Sequence, residues 1–416
     1  MIKTGKSPMT LMTYLAIMSI SLIVNLPGLA VTPMLGTLTT IFPHTTQLEK
    51  QLLTALPNLL IIPFVLMSGK LSLTRHKLGI IVGGLVLFTA CAVAYMFAPS
   101  MMWLIVVSCL LGCAAGLLIP FSTGLIADTF CGNYRMTQMG IQSGISNSAL
   151  VIATFVVGWL SHGNWHLPFA VYLVCVIPLL LTFWLRGVTQ NSVPASAAGA
   201  SCTTESADAT PVKPGEKIKG GFYVNRIWAL IGVYFFITFA SISISYYCPF
   251  LIEKRDWGAS LSGTVTAIYF LFILMPGYFL PFFVKILKGY TFFWSAVMMM
   301  IGQALFVFCP GSVTMCIGAA LVGLGYGICQ PILYDKATDC VNDSKKSTQA
   351  LSFVLSANYL AIVVSPFLIG FLRGIFHVQP DNTFAFLVSF ILLAFYVVMT
   401  FVMRKRFAFS VSQADM

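Results

Sequence analysis

Residues 112–147 read GCAAGLLIPFSTGLIADTFCGNYRMTQMGIQSGISN, and residues 323–358, 211 positions later, read GLGYGICQPILYDKATDCVNDSKKSTQALSFVLSAN. The two stretches match at glycine, proline and polar positions, in the pairs Gly112 and Gly323, Gly116 and Gly327, Pro120 and Pro331, Asp128 and Asp339, Arg135 and Lys346, Thr137 and Thr348, Gln138 and Gln349, and Asn147 and Asn358. A chance register between apolar sequences would instead match Leu, Val and Ala. The chain is therefore predicted to contain two halves built alike.

The composition around this repeat excludes a water-soluble fold. Of the 416 residues, 58% are hydrophobic and 8% are charged, whereas soluble domains carry about 25% charged residues. A transmembrane helix needs about 20 apolar residues, so a chain of this length and composition holds about a dozen. A single-span receptor and a peripheral membrane protein are excluded.

The apolar segments form two groups of six on either side of a polar stretch, 187–222. Residues 187–222 are rich in Ala, Ser, Thr and Pro, and such a composition buries too little apolar area to fold. We therefore predict an all-α integral membrane protein with twelve transmembrane helices in two pseudo-symmetric six-helix bundles, 1–186 and 223–416, joined by a flexible linker. The predicted helices are 11–35, 48–68, 78–98, 101–128, 137–160, 167–185, 226–250, 258–284, 291–309, 312–335, 349–372 and 382–403.

The distribution of basic residues predicts the orientation. With the N-terminus inside, the inner segments hold 19 of the 23 Lys and Arg residues, and the outer segments hold 4, namely Lys50, Lys254, Arg255 and Arg373. Loops rich in Lys and Arg stay cytoplasmic. We expect a multi-pass protein of the plasma (inner) membrane whose termini and linker are cytoplasmic.

Several other classes of protein are disfavoured by the sequence. The net charge of +11 is spread between hydrophobic runs, whereas a nucleic-acid-binding protein clusters its basic residues. The 11 Cys include no CxxC pair, the five His lie in predicted loops, and His162 and His166 are separated by Gly163 and Asn164. We therefore expect no nucleic-acid partner, no metal, no cofactor and no membrane-embedded enzyme site. A channel is disfavoured because no filter-like loop is visible.

Six plus six helices, a cytoplasmic linker and repeated halves together resemble the major facilitator superfamily over essentially the whole chain. In that family the loop after helix two usually reads Gly, small residues, Asp, Arg, a gap, Gly, Arg, Lys. Here residues 69–77 read GKLSLTRHK. Gly69, Arg75 and Lys77 match the glycine and the basic residues of this motif, whereas Leu73 occupies the position where the family has Asp. The arginine motif of drug exporters in helix four and the Gly-Pro pair of antiporters in helix five are absent. The resemblance implies a monomeric secondary transporter that moves a small solute by alternating access.

Polar residues at mid-depth are the candidate solute-binding groups. In this fold the site lies near the bilayer midplane, where polar side chains must face a cavity or one another because lipid does not hydrogen-bond them. The alternative for each is an interhelical hydrogen bond, worth about 0.6 kcal/mol. Because Asn147 and Asn358 occupy matched positions in the two halves, we expect these two residues to line the cavity. The candidates are Asn25, Asn58, Gln142, Asn147, Tyr246, Tyr269, Gln330, Tyr334 and Asn358.

A cytoplasmic gate is predicted at the ends of helices four and ten. Asp128 and Asp339 end these helices, and a basic residue, Arg135 or Lys346, follows each by seven positions. They form either a latch that closes the cytoplasmic side or ordinary interfacial charges. The candidate gating residues are Gly69, Arg75, Lys77, Asp128, Arg135 and Asp339.

Asp335 is the candidate coupling residue because it lies one helical turn deeper than Asp339 and replaces Gly124 of the first half. A carboxyl group withdrawn from water binds a proton more readily, whereas a neighbouring ammonium group, that of Lys336, favours the ionised form. The sequence leaves both readings open. Proton-driven export of drugs or metabolites is the first expectation, and symport or facilitated diffusion of a neutral or amphipathic solute is the alternative.

Overall fold

The computed structural model describes residues 9–28, 41, 47–74, 77–130, 132–160, 165–185, 218–219, 221–253, 259–309, 311–341, 346–377, 383–404 and 406–409. The predicted gating residue Arg75 and residues 187–217 of the predicted linker lie outside the described residues.

The described chain is a succession of apolar helices. The first six are α1 (Leu11–Ser19), α2 (Gln47–Leu71), α3 (Lys77–Met96), α4 (Met101–Thr129), α5 (Gly132–Leu160) and α6 (Val176–Leu181). The next six are α7 (Val224–Glu253), α8 (Ala259–Tyr278), α9 (Thr291–Phe308), α10 (Ser312–Thr338), α11 (Ser347–Ile375) and α12 (Thr383–Val402). Two short strands, β1 (Ile218–Lys219) and β2 (Phe222–Tyr223), pair antiparallel before α7.

Length and hydropathy identify most of these helices as membrane spans. Among the described residues, nine segments are long and apolar enough to cross a membrane, and three shorter apolar helices accompany them, Leu11–Ile23, Leu56–Leu71 and Gly263–Tyr278. The prediction of an all-α, multi-pass integral membrane protein is confirmed.

Three helical regions are less regular than the sequence predicts. After Ser19 the first span continues only as a 3-10 helix, Ile20–Ile23, and Gly28 has a φ of 77°. The sixth span is mostly 3-10 helix, with Leu167–Cys175 before α6 and Thr182–Leu185 after it. The eighth breaks at Phe279, between Pro276 and Pro281, and resumes as Leu280–Leu287. Proline lacks the amide hydrogen that the helix needs, which accounts for this break.

In the first half of the repeat, two glycines bring α4 into backbone contact with α2. A Cβ added at Gly112 would lie 2.6 Å from the carbonyl oxygen of Pro57, and one at Gly116 would lie 2.8 Å from that of Ile61. A larger residue at either position would force the helices apart.

The matched glycines of the second half pack α10 on α8 in the same way. A Cβ at Gly323 would lie 2.5 Å from the carbonyl oxygen of Tyr269, and one at Gly327 would lie 2.5 Å from that of Ile273. The sequence repeat is therefore a repeat in helix packing.

The chain forms two compact units. The first unit comprises Met1–Arg135, Ile145–Thr204 and Val341–Tyr359; the second comprises Met136–Gly144, Glu205–Cys340 and Leu360–Met416. Part of α5 thus belongs to the second unit and part of α11 to the first. The predicted boundaries of the two bundles, 1–186 and 223–416, stay a prediction.

The chain after α12 packs against other helices of the second unit. Phe409 is buried, and its ring meets those of Phe292 and Tyr396 at centroid distances of 6.1 and 6.0 Å. The guanidinium group of Arg226 lies 4.7 Å from the ring centroid of Phe407. We call the described residues 404 and 406–409 the C-terminal segment, and it contacts the starts of α7 and α9 and, through Lys336, the end of α10.

Candidate functional site

In the first unit, an asparagine that follows α1 contacts an asparagine of α5. The Asn25 side-chain nitrogen donates to Asn147 Oδ1 over 3.3 Å, and Ser146 Oγ donates to the carbonyl oxygen of Ser21 over 2.9 Å. Asn147 is 4% exposed. The structure therefore brings two predicted solute-binding residues, Asn25 and Asn147, into contact.

The second unit contains a network of uncharged side chains centred on Gln330. The Gln330 amide nitrogen donates to the hydroxyl oxygens of Tyr234 and Tyr334 over 3.2 and 2.9 Å, and the two hydroxyl oxygens lie 2.7 Å apart. Ser143 Oγ donates to Gln330 Oε1 over 3.0 Å. We call Tyr234, Gln330 and Tyr334 the tyrosine–glutamine trio. It links α7 to α10, and Ser143 adds α5.

The trio extends towards a further tyrosine. Thr238 Oγ1 lies 3.4 Å from the hydroxyl oxygen of Tyr326, and the hydroxyl of Tyr326 also interacts with that of Tyr234. Tyr234, Tyr326 and Tyr334 are at most 7% exposed. Every side chain in this network is uncharged.

Two members of the trio, Tyr234 and Gln330, lie well inside their helices. Tyr234 lies ten residues after the start of α7 at Val224 and Gln330 eight residues before the end of α10 at Thr338. At 1.5 Å per residue these separations correspond to about 15 and 12 Å, whereas Tyr334 lies four residues before Thr338, or about 6 Å from the helix end.

Gln330 and Tyr334 were predicted from the sequence, whereas Tyr234, Tyr326 and Ser143 were not. Tyrosine usually marks the membrane interface, so its position in the chain alone does not single it out. The available signal for Tyr234 was its distance from the basic helix start at Arg226, eight residues earlier. That distance is too long for an interfacial anchor.

The remaining predicted solute-binding residues lie in or near the protein interior. Asn58, Gln142 and Tyr269 are 4%, 2% and 4% exposed, and Asn358 is 9% exposed. Tyr246 is half-buried near the end of α7. Burial agrees with the expectation that they avoid lipid, and their role in binding stays a prediction.

Two residues of the predicted gate, Lys77 and Asp128, form an ion pair. Lys77 Nζ lies 3.1 Å from Asp128 Oδ2, which joins the start of α3 to the end of α4. Gly69 faces α11 so closely that an added Cβ would lie 2.0 Å from Ser352 Oγ. Arg135 is half-buried and Asp339 is exposed. The structure thus brings together Lys77 and Asp128 of the predicted gating set.

Asp335 and its neighbour Lys336 are both buried, with 6% and 8% exposure. The ammonium group of Lys336 donates to the carbonyl oxygen of Phe407 over 2.5 Å and lies 4.8 Å from the centroid of its ring. At the matched position of the first half, a Cβ on Gly124 would lie 2.3 Å from Thr348 Oγ1. An aspartate therefore fits in the second half and not in the first.

The described residues contain no group of three or more His, Cys, Asp or Glu side chains that could hold a metal ion. The polar groups of the Asn25–Asn147 pair and of the trio are amides and hydroxyls. Such groups bind and release a solute by hydrogen bonds.

Comparison with known proteins identifies the family. Residues 9–334 match the family model for the Major Facilitator Superfamily. The chain belongs to the major facilitator superfamily. Its members are transporters, and the resemblance inferred from the sequence is thereby confirmed.

Among individual relatives, the quinolone resistance protein NorA of Staphylococcus aureus (strain MRSA252) is 24% identical over 321 residues, which cover 75% of this chain and 77% of NorA. The crystal structure of the human organic anion transporter MFSD10 (TETRAN) matches with a TM-score of 0.71 at 13% identity, over 93% of this chain and 98% of MFSD10. The proton:xylose symporter XylE matches with a TM-score of 0.67 at 14% identity, over 97% of this chain and 98% of XylE. These two structures show the shared fold alone.

Proposed function

We propose that this transporter exports a small amphipathic or neutral solute by alternating access and that inward movement of protons drives the export. The observation that carries the proposal is the placement of uncharged hydrogen-bonding groups in both units, the Asn25–Asn147 pair and the tyrosine–glutamine trio. Such groups recognise a solute without requiring a charge on it. The likeness to NorA, named for quinolone resistance, supports export.

Asp335 is the proposed coupling residue. It is a buried carboxyl group one turn before the end of α10, and the ammonium group beside it contacts the C-terminal segment. Coupling by Asp335 requires that this carboxyl group faces the two sides of the membrane in turn during alternating access. A carboxyl group that alternates between the two environments can exchange a proton across the membrane.

The proposed gate consists of Gly69, Lys77 and Asp128, with Arg75, Arg135 and Asp339 as further members. The Lys77–Asp128 pair joins α3 to α4, and the contact at Gly69 joins α2 to α11. We propose that these contacts form on the cytoplasmic side of the plasma membrane and break when that side opens. The protein acts as a monomer in this proposal.

Uptake by symport, or facilitated diffusion, is the second candidate. It is favoured by the uncharged side chains of the Asn25–Asn147 pair and the trio, and by the position of Asp335 only three residues before the end of α10. An exporter lowers the cellular content of its solute, whereas an uptake system raises it.

Accumulation of Nile red, an uncharged fluorescent dye, separates these candidates in cells that lack their own dye exporters. Cells that express the chain should retain less dye than cells with an empty vector, and a protonophore should abolish the difference. Higher dye content on expression would support uptake. Equal content with and without expression would contradict export of amphipathic neutral solutes.

A further inference from the structure

We propose that the tyrosine–glutamine trio, Tyr234, Gln330 and Tyr334, binds an uncharged solute that presents a hydrogen-bond acceptor, such as a carbonyl, ether or hydroxyl oxygen. The inference rests on the transport function proposed above and adds the chemical class of the solute. It also assigns a specificity-determining role to Tyr234.

A count of hydrogens shows what the trio offers a ligand. Both N–H groups of the Gln330 amide are directed to the two tyrosine oxygens, at 3.2 and 2.9 Å. The hydroxyl oxygens of Tyr234 and Tyr334 are 2.7 Å apart, so one hydroxyl donates to the other. Each phenol carries one hydrogen. One of the two hydroxyl hydrogens is therefore left to bond outside the trio.

When Tyr334 donates to Tyr234, the remaining hydrogen is that of Tyr234, and the neighbouring hydroxyl of Tyr326 can accept it when no solute is present. It interacts with the hydroxyl of Tyr234 and lies 3.4 Å from Thr238 Oγ1. A solute oxygen can replace Tyr326 as the acceptor while the three bonds inside the trio stay in place. After this exchange every polar group of the trio still has a hydrogen-bond partner. This is required because a buried polar group without a partner destabilises the protein.

The absence of charged groups from the trio and its named neighbours restricts the charge of the ligand. The trio and its neighbours Ser143 and Tyr326 carry amide and hydroxyl groups only. Moving an ion from water to a buried site is strongly unfavourable unless an opposite charge receives it. A neutral acceptor is desolvated more easily and regains a hydrogen bond. The trio therefore favours a neutral solute over an anion or a cation of the same shape.

The tyrosine rings favour a ligand with an apolar or aromatic body. The rings of Tyr234 and Tyr334 are arranged edge to face, at 84° and a centroid distance of 5.7 Å. Aromatic side chains provide apolar contact area next to a polar group. The expected ligand is thus amphipathic, with its oxygen at the hydroxyl groups and its body against the rings.

Three naphthalene derivatives of nearly equal size test the charge preference. Naphthalene-2-carboxamide is neutral, naphthalene-2-carboxylate is an anion and naphthalene-2-carboxamidine is a cation at neutral pH. Isothermal titration calorimetry on the purified full-length protein in detergent should show the carboxamide binding at least tenfold more tightly than either ion. Equal or tighter binding of an ion, or no binding of the carboxamide, would overturn the proposal.

The variant Tyr234→Phe tests the trio itself, because it removes one hydroxyl and keeps the ring. The loss of one neutral hydrogen bond should weaken carboxamide binding about fivefold. The matched control is Tyr396→Phe. Tyr396 is 2% exposed, and among the described residues its hydroxyl has no hydrogen-bond partner. Its removal should leave carboxamide binding unchanged. Equal affinity in the two variants would overturn the assignment.

Tyr334→Phe serves as the second variant if Tyr234→Phe does not fold, and the same fivefold loss is expected. A merely structural trio would lower the thermal stability of either variant without changing its affinity for the carboxamide. Transport that persists with no preference for the neutral probe refutes the site and leaves the transport function standing. Selective binding without any transport refutes the transport function and leaves the site standing.

Discussion

The ammonium group of Lys336, the residue after Asp335, contacts the C-terminal segment. It donates to the carbonyl oxygen of Phe407 and lies 4.8 Å from the ring centroid of Phe407 and 6.0 Å from that of Phe292. Aromatic faces attract cations, so the C-terminal segment provides Lys336 with uncharged partners. Asp335 thus directly precedes a lysine that is anchored to the C-terminal segment.

Asp335→Asn should separate coupling from solute movement. Asn mimics the protonated acid and is of equal size, so the variant should fold, and it should still exchange solute down the gradient of the solute. Accumulation against a gradient should be lost because no proton is released. Uptake and counterflow in proteoliposomes measure the two activities. Undiminished accumulation with an unchanged pH dependence would reject Asp335 as the coupling residue.

The matched residues Asn147 and Asn358 are expected to contribute to solute affinity. Replacing either by Leu nearly keeps the volume and removes the amide, so we expect correct folding and a several-fold higher apparent KM. For Asn147 the loss includes the bond to Asn25. Initial rates of transport over a range of solute concentrations measure this change. Wild-type KM values in both variants would leave these residues with a packing role only.

At the scale of helices, the start of α5 packs on the end of α8 through glycines. A Cβ on Gly277 would lie 2.6 Å from the backbone nitrogen of Gly144 and 2.8 Å from the carbonyl oxygen of Gly140. Backbones that approach this closely are typical of transmembrane helices with small residues at their contact. The contact explains why residues 136–144 belong to the second unit.

Gly277→Ala should destabilise this contact. The added methyl group forces the two backbones apart, at a cost of about 1–3 kcal/mol. Gly263→Ala on the same helix is the matched control, since nothing lies within 4 Å of its added Cβ. The thermal unfolding midpoint should fall for Gly277→Ala only. Equal midpoints for the two variants would show that α5 and α8 tolerate a wider spacing.

The sequence predicts the regular helices well and the irregular ones poorly. The predicted spans 101–128 and 312–335 end within three residues of α4 (Met101–Thr129) and α10 (Ser312–Thr338), because polar residues delimit long apolar runs there. Hydrophobicity does not distinguish a 3-10 helix from an α-helix, so the irregular sixth span was not predicted. Apolar composition defines where a span lies, whereas its local geometry depends on packing.

The candidate site was predicted in part for a similar reason. Amides such as Asn147 and Gln330 are conspicuous in an apolar helix because lipid does not satisfy them. Tyr234 is not conspicuous, since a tyrosine is compatible with both lipid interface and core. Its place in the trio depends on the contact between α7 and α10, which only the folded chain provides.

At the scale of the whole molecule, the basic residues predict its orientation. They divide 19 to 4 between the two sides of the membrane, so the linker with Cys202 should be cytoplasmic. In a variant that keeps Cys202 as its only cysteine, a membrane-impermeant thiol reagent should label inside-out vesicles and spare intact cells. Labelling of intact cells would place the linker outside and reverse the proposed orientation.

The central claim is that this member of the major facilitator superfamily moves an uncharged solute by using a proton gradient. The most direct measurement is transport of radiolabelled naphthalene-2-carboxamide into proteoliposomes that contain the purified protein, with and without an imposed pH gradient. An acidic interior should drive accumulation by antiport, and dissipation of the gradient should release the solute. Uptake that only equilibrates, with the same rate and extent in both conditions, would contradict proton-driven transport.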